Sequence, residues 1–168
     1  MATVYISIGS NIDREKNIHS CLSRLKNDYP DIIFSTIYET EAVGFKGDPF
    51  LNLTAVFETN LTPEEIETYL KTIEDDHLRT REGEKYSSRT LDIDLLLYDQ
   101  LILHPAMDVP REEITRYGFV LFPLAEIAAK VIHPILGKTI NELANESELS
   151  KQTMQAVELQ SHITENYQ

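Results

Sequence analysis

The sequence predicts an α+β domain in which helices pack against an antiparallel sheet. Three observations carry this expectation. Several segments alternate side chains at the two-residue period of a strand. Two segments between them place apolar residues at the three-and-four spacing of a helix. Their order is strand, helix, strand, strand, helix, strand, which is the ferredoxin-like βαββαβ plan, a three-layer α/β/α arrangement with extra C-terminal elements.

Residues 3–8 form the first strand, with Val4, Tyr5, Ile6 and Ile8, and Gly9-Ser10-Asn11 ends it. Asp13 starts a helix whose stripe is Ile18, Cys21, Leu22 and Leu25, and Pro30 and Asp31 close it. Residues 32–40 read as one continuous second strand, residues 42–49 as a loop, and residues 51–59 as a third strand. The second helix is sharply marked. Thr62 is a good N-cap, Pro63 suits the first helical position, and Glu65 completes a capping box. Ile66, Tyr69, Leu70, Ile73 and His77 follow one face, so the helix should run to about Leu78. A polar loop over residues 79–88 comes next. Residues 91–98 form a fourth strand, with shorter strands expected at 101–103 and 119–121. Short helices are expected at 123–129 and 139–144. Residues 1–145 make the catalytic domain on this reading, and 146–168 a terminal helix or frayed tail of unknown role.

A chain of 168 residues suits one compact domain with its own core. No apolar run approaches the roughly 20 residues of a membrane span. Residues 1–9 lack the basic stretch of a signal peptide, and Cys21 has no partner for a disulfide, so a cytoplasmic location and a monomer are the default expectations. The net charge of −13 repels nucleic acid and anionic membrane. Arg79, Arg81, Lys85 and Arg89 nevertheless cluster, which suits a small polyanion; the alternative is a set of solvated surface charges.

The chemistry sits in Arg89-Thr90-Leu91-Asp92-Ile93-Asp94-Leu95-Leu96-Leu97. Alternation turns Leu91, Ile93, Leu95 and Leu97 to the core and puts Asp92 and Asp94 together on the other face. Their Cα atoms would lie roughly 7 Å apart, so the carboxylates call for a cation between them. Mg²⁺ uses one or two carboxylates, water and substrate phosphates, and the neighbouring arginines would clamp those phosphates. A solvated acidic face is the bland alternative for the acid pair taken alone. No P-loop or G-x-G-x-x-G sequence is present, the five histidines lack metal-ligand spacing, and Ser10 and Cys21 lack an evident base.

Several pieces together resemble the 6-hydroxymethyl-7,8-dihydropterin pyrophosphokinase family. They are Ile8-Gly9-Ser10-Asn11, Tyr38 to Gly44, Phe50-Leu51-Asn52, Ile73-Glu74, Arg79 with Arg81, the run from Arg89 to Asp94, and Gly118 to Leu124. The resemblance spans about residues 4–143. It implies transfer of pyrophosphate from ATP to the pterin alcohol, releasing AMP, in folate synthesis. It implies that Phe50 and Phe119 grip the pterin, with Asn52 and groups near Thr40 and Val43 on its edge. Asp92 and Asp94 would bind two Mg²⁺ ions, and Arg79, Arg81 and Arg89 would act on the phosphates. Lys71, Glu74, Tyr86, Arg111 and Arg116 would complete the nucleotide site, with Glu74 able to orient a neighbour.

The chain departs from the family pattern in three places. Ser87-Ser88 replaces Gly-Pro, Arg111 stands where His is usual, and Tyr117 stands at an arginine position with Arg116 beside it. Two alternatives therefore stay open: an enzyme acting on a different pterin, and a module that binds pterin or nucleotide without turnover.

Overall fold

The computed structural model describes residues 1–42, 46–77, 90–149 and 154–159. Its elements in order are β1 (Ala2–Ser10), α1 (Arg14–Asp28), β2 (Ile33–Phe34), β3 (Ile37–Thr40), β4 (Phe50–Thr59), α2 (Pro63–Asp76), β5 (Asp92–Tyr98), α3 (Glu113–Arg116), α4 (Gly118–Ala128), α5 (Ile140–Glu146) and β6 (Gln155–Val157). The strands form one sheet ordered β5-β1-β4-β3-β6, with β2 also on β4. Every pairing is antiparallel. This is the expected α/β/α sandwich.

Two apolar layers hold it. On one face Ile18, Leu22 and Leu25 of α1 and Ile66, Leu70 and Ile73 of α2 meet Ile6, Ile8, Leu53, Ile93 and Leu95 of the sheet. On the other face Val120, Leu121 and Leu124 of α4, with Ile114 and Ile140, meet Tyr5, Leu96 and Leu97. The α2 capping box forms as its sequence demands: Glu65 N–H donates to Thr62 Oγ1 at 3.2 Å and Thr62 N–H to Glu65 Oε1 at 3.0 Å. Thr139 and Glu142 repeat it at α5.

Five expectations are corrected. The segment 32–40 is not one strand. Ser35 Oγ accepts from Thr54 N–H at 2.8 Å, in place of a backbone carbonyl, and Thr36 N–H turns to Glu126 Oε1 at 2.9 Å. The ladder therefore breaks between β2 and β3. Residues 119–121 are helical, not a strand: α4 starts at Gly118, and Pro123 lies inside it. The stretch is apolar all round, so periodicity cannot separate strand from helix, and such a helix is a buried one. Residues 101–103 form no strand; Leu103 and Val109 close a turn instead, with Leu103 N–H donating to Val109 O at 2.8 Å.

The fourth correction concerns Leu97. The register of β1 on β5 shifts between Tyr5 and Ile6, leaving Leu96 as an extra residue. Leu97 is thereby carried to the α4 face, away from Ile93 and Leu95. A one-residue bulge reverses the alternation that the sequence implied. Beyond α5, Gln155–Val157 adds as a strand to the edge of β3 rather than forming a helix, and Leu159 enters the α1–α2 core.

Ser35→Ala should cost about 1–3 kcal/mol in urea unfolding, because it strips a buried Thr54 N–H of its acceptor. Glu58→Gln on exposed surface should stay within about 0.5 kcal/mol.

Candidate active site

The site begins with register. Gly9 of β1 lies opposite Asp92 of β5 on one side and Asn52 of β4 on the other, and Asn52 lies opposite Tyr38 of β3. A second row holds Asp94, Ser7 and Thr54. Alternation puts Phe50, Asn52, Tyr38, Thr40, Asp92 and Asp94 on the face that carries α4. The tie from Tyr38 Oη to Glu126 of α4 fixes that face. Two strand spacings separate Asn52 from Asp92, roughly 10 Å. The glycine between them has no side chain to fill the gap.

Gly9 cannot readily be anything else. A Cβ there would lie 2.6 Å from Asn52 Oδ1. The Asn52 amide is buried, and its Nδ2 donates to Thr40 Oγ1 at 2.5 Å. The next two residues brace the surroundings. Ser10 Oγ donates to Thr90 O at 2.5 Å, tying the end of β1 to the start of β5. Asn11 Nδ2 donates to Asp48 O at 3.0 Å, holding the approach to Phe50. Arg14 adds a bond to Pro49 O at 3.2 Å. The Gly9-Ser10-Asn11 triplet, read in the sequence as a strand end and as part of the family resemblance, is a clamp between the two halves of the site.

Phe50 opens β4 and Phe119 sits in the first turn of α4; both are half-buried. Phe119 stacks on Tyr117, with centroids 5.0 Å apart and planes 16° from parallel. Tyr117 thus backs the Phe119 ring.

Asp92 is exposed, whereas the Asp94 side chain keeps about 24% of its surface open. Glu74 of α2 reaches the sheet edge, where its Oε2 accepts from Ile93 N–H at 2.8 Å, and its carboxyl hydrogen-bonds Asp92. It therefore orients the start of β5. Burial, and then the charge of Asp92, push Asp94 up to about 7. Burial also lifts Glu74 to about 7, against the Ile93 bond and the Lys71 charge. Arg111 Nη2 lies 3.3 Å from Asp94 Oδ1 and 3.1 Å from Glu113 Oε1. Glu113 is a partner the sequence did not single out; its only signal is its place two residues after Arg111.

Among the described residues no three His, Cys, Asp or Glu side chains converge as metal ligands. The acid pair suits a hard cation that draws its other ligands from water and phosphate. Burial first, and then the charge of neighbouring carboxylates, raises Asp94 and Glu74, and a bound cation would relieve the second of these causes. Lys71 is exposed on α2, one turn before Glu74. Arg116 is exposed and pairs with Glu112 at 3.1 Å; it ends a helix, and Arg111 is the guanidinium paired with Asp94. Val43, Arg79, Arg81, Tyr86 and Arg89 lie outside the described residues.

The raised carboxyls set a pH dependence. The fold binds their protons more tightly than the unfolded chain does, so their contribution is full below about pH 4 and is lost as pH rises through about 7. The melting temperature of the metal-free protein should fall by several degrees between pH 5 and pH 8. Asp94→Asn should flatten that fall, as read by a scanning melt.

Comparisons with known proteins agree with one another. The family model described as 7,8-dihydro-6-hydroxymethylpterin-pyrophosphokinase matches residues 5–129. A 2-amino-4-hydroxy-6-hydroxymethyldihydropteridine pyrophosphokinase of Aquifex aeolicus is 37% identical over 152 residues, covering 89% of this chain and 94% of that one. The enzyme of the same name from Bacillus subtilis is 36% identical over 132 residues, covering 76% of this chain and 78% of its own. A crystal structure of Plasmodium falciparum HPPK-DHPS superposes with a TM-score of 0.67 at 14% identity. That match covers 86% of this chain but only 45% of the Plasmodium chain, and it speaks for the fold. No helix among the described residues is long and apolar enough to cross a membrane. On the strength of the family match and of relatives aligned along nearly their whole length, this chain belongs to the 7,8-dihydro-6-hydroxymethylpterin-pyrophosphokinase family, whose members are ATP-dependent pyrophosphokinases.

Proposed function

We propose that the protein transfers pyrophosphate from ATP to 6-hydroxymethyl-7,8-dihydropterin and releases AMP. One observation carries the reading: a single row across the sheet sets a buried amide, Asn52, and a carboxylate, Asp92, on either side of Gly9, whose lack of a side chain leaves room for the Asn52 amide. A flat heterocycle with its edge on Asn52 and its alcohol pointing along the row would reach toward the acid pair.

Each group has a physical task. Asn52 offers both donor and acceptor to a pterin edge, and Thr40 fixes the amide's orientation. Backbone near Val43 would complete that edge. Phe50 and Phe119 supply aromatic faces, worth perhaps about 1 kcal/mol per ring beyond burial. Asp92 and Asp94 would hold two Mg²⁺ ions. When bound, those ions neutralise phosphate charge and align the nucleotide's phosphates. Arg79, Arg81 and Arg89 would grip the phosphates, and Lys71, Glu74, Tyr86, Arg111 and Arg116 would line the nucleotide side. The pterin hydroxymethyl oxygen attacks the β-phosphorus in line and releases its proton to solvent, the bond to the α,β-bridging oxygen breaks, and AMP leaves with that oxygen. The protein contributes position and charge balance rather than a covalent step.

Tyr117 favours one variation. Its ring backs Phe119 where the family carries a cation, so the wall of the pocket is altered, and a pterin with a different 6-substituent is the second reading.

Incubation with Mg-ATP and the pterin alcohol tests the proposal. AMP should appear only when the pterin is present; tight binding of both without AMP would defeat it. Asp92→Ala and Asp94→Ala should each lower turnover on the order of 10²–10³-fold, with the near-ultraviolet spectrum kept. Gly9→Ala should weaken pterin binding by about tenfold or more in a fluorescence titration, because its Cβ evicts the Asn52 amide.

A further inference from the structure

Arg111 stands in an unusual bonding state. Its Nη2 is shared between Asp94 and Glu113, at 3.3 and 3.1 Å. Its Nε is buried and has no hydrogen-bond partner among the described residues. A guanidinium paired with a carboxylate at full strength presents two parallel N–H groups to it. Here one nitrogen serves two acids and a buried donor stands idle, so charge rather than geometry holds the contact.

The surroundings explain why any cation is drawn there. Asp94 faces the negative charge of Asp92, Glu113 and Glu74, and Arg111 is the compensating charge among them. The backbone of Arg111 is fixed. Its N–H donates to Leu96 O at 3.0 Å, at the bulge of β5, and its carbonyl accepts from Ile114 N–H at 3.2 Å. Only the side chain is free to exchange partners. An incoming divalent cation would compete with the guanidinium for the same Asp94 oxygen, and a displaced guanidinium needs another anion. A triphosphate supplies one.

We propose that Arg111 is a built-in counter-ion for Asp94 that makes metal binding conditional on the nucleotide. This rests on the reading of Asp92 and Asp94 as the metal site. A divalent cation alone must evict Arg111 and leave it unpaired, so it binds weakly. A cation arriving with a polyphosphate gives Arg111 a new acceptor, so the two bind cooperatively. Arg111 is in this sense a positioning residue that selects the metal–nucleotide complex over the bare metal.

Mn²⁺ is the probe, counted as free ion by electron paramagnetic resonance in the full chain at pH 7.5, with and without α,β-methylene-ATP, after subtracting the Mn²⁺ that the analogue binds in a protein-free control. Wild type should bind Mn²⁺ alone weakly and at least tenfold more tightly with the analogue. Arg111→Gln should bind Mn²⁺ alone about tenfold more tightly than wild type and lose most of the gain from the analogue. Arg111→Lys, which keeps the charge, should stay close to wild type. In an Asp94→Asn background, Arg111→Gln should change Mn²⁺ affinity less than twofold, since the pairing it relieves is gone. Mn²⁺ affinity unmoved or weakened by Arg111→Gln in a protein with the wild-type circular dichroism would overturn the inference alone. A tightening that persists with Asp94→Asn would also overturn it, as a general field effect. No Mn²⁺ binding in any variant, analogue present, would sink the metal-site reading and this inference with it.

Discussion

The site depends on the antiparallel register of β1 between β5 and β4. That register puts Gly9 opposite both Asp92 and Asn52. A slip of one residue would place Ile8, a fully buried core side chain, in the gap, and would turn every side chain of the strand to the wrong face. The register is held by burial. Ile6 and Ile8 enter the α1–α2 layer while Tyr5 enters the α4 layer, so β1 is pinned from both sides. The hydrophobic effect, which is non-directional, thereby fixes a polar constellation to within a residue.

Electrostatics runs the other way. The core elements leave Asp92, Glu74 and Glu113 close enough for their charge to act on Asp94, with Arg111 and Lys71 as the described counter-charges. A fold built for stability alone would not gather four acids at the edge of β5. The chain tolerates this because each carboxyl also has a structural attachment: Glu74 caps the free Ile93 N–H, and Glu113 and Asp94 share Arg111. The remaining excess of negative charge is what the proposed metal ions would neutralise.

Much of this was legible in the chain, and the reasons are local. Thr62, Pro63 and Glu65 mark a helix start through bonds that span only three residues. The alternation of Asp92 and Asp94 with Ile93 and Leu95 needs nothing beyond strand geometry. What escaped depends on distant partners. The bulge at Leu96 arises from pairing with Tyr5 and Ile6 across the sheet. The break after Phe34 needs the Thr54 amide and the Glu126 carboxylate. The helical state of 118–122 could not be read because that stretch is apolar throughout and has no period, and Pro123 pointed to a later start. Ser10 and Asn11 gave no sign that they brace Thr90 and Asp48, since neither bond is local in sequence.

The departures from the family pattern acquire a common logic when placed on this frame. Arg111 and Tyr117 flank the four-residue helix α3, whose only buried side chain is Ile114. The helix is too short to dictate what its flanks present, and its packing through Ile114 leaves them adjustable. At one flank a permanent cation lies against Asp94; at the other a neutral ring lies against Phe119. A change of residue at either flank would therefore alter a charge contact or a ring contact while the register of β1, on which the site is built, stays as it is.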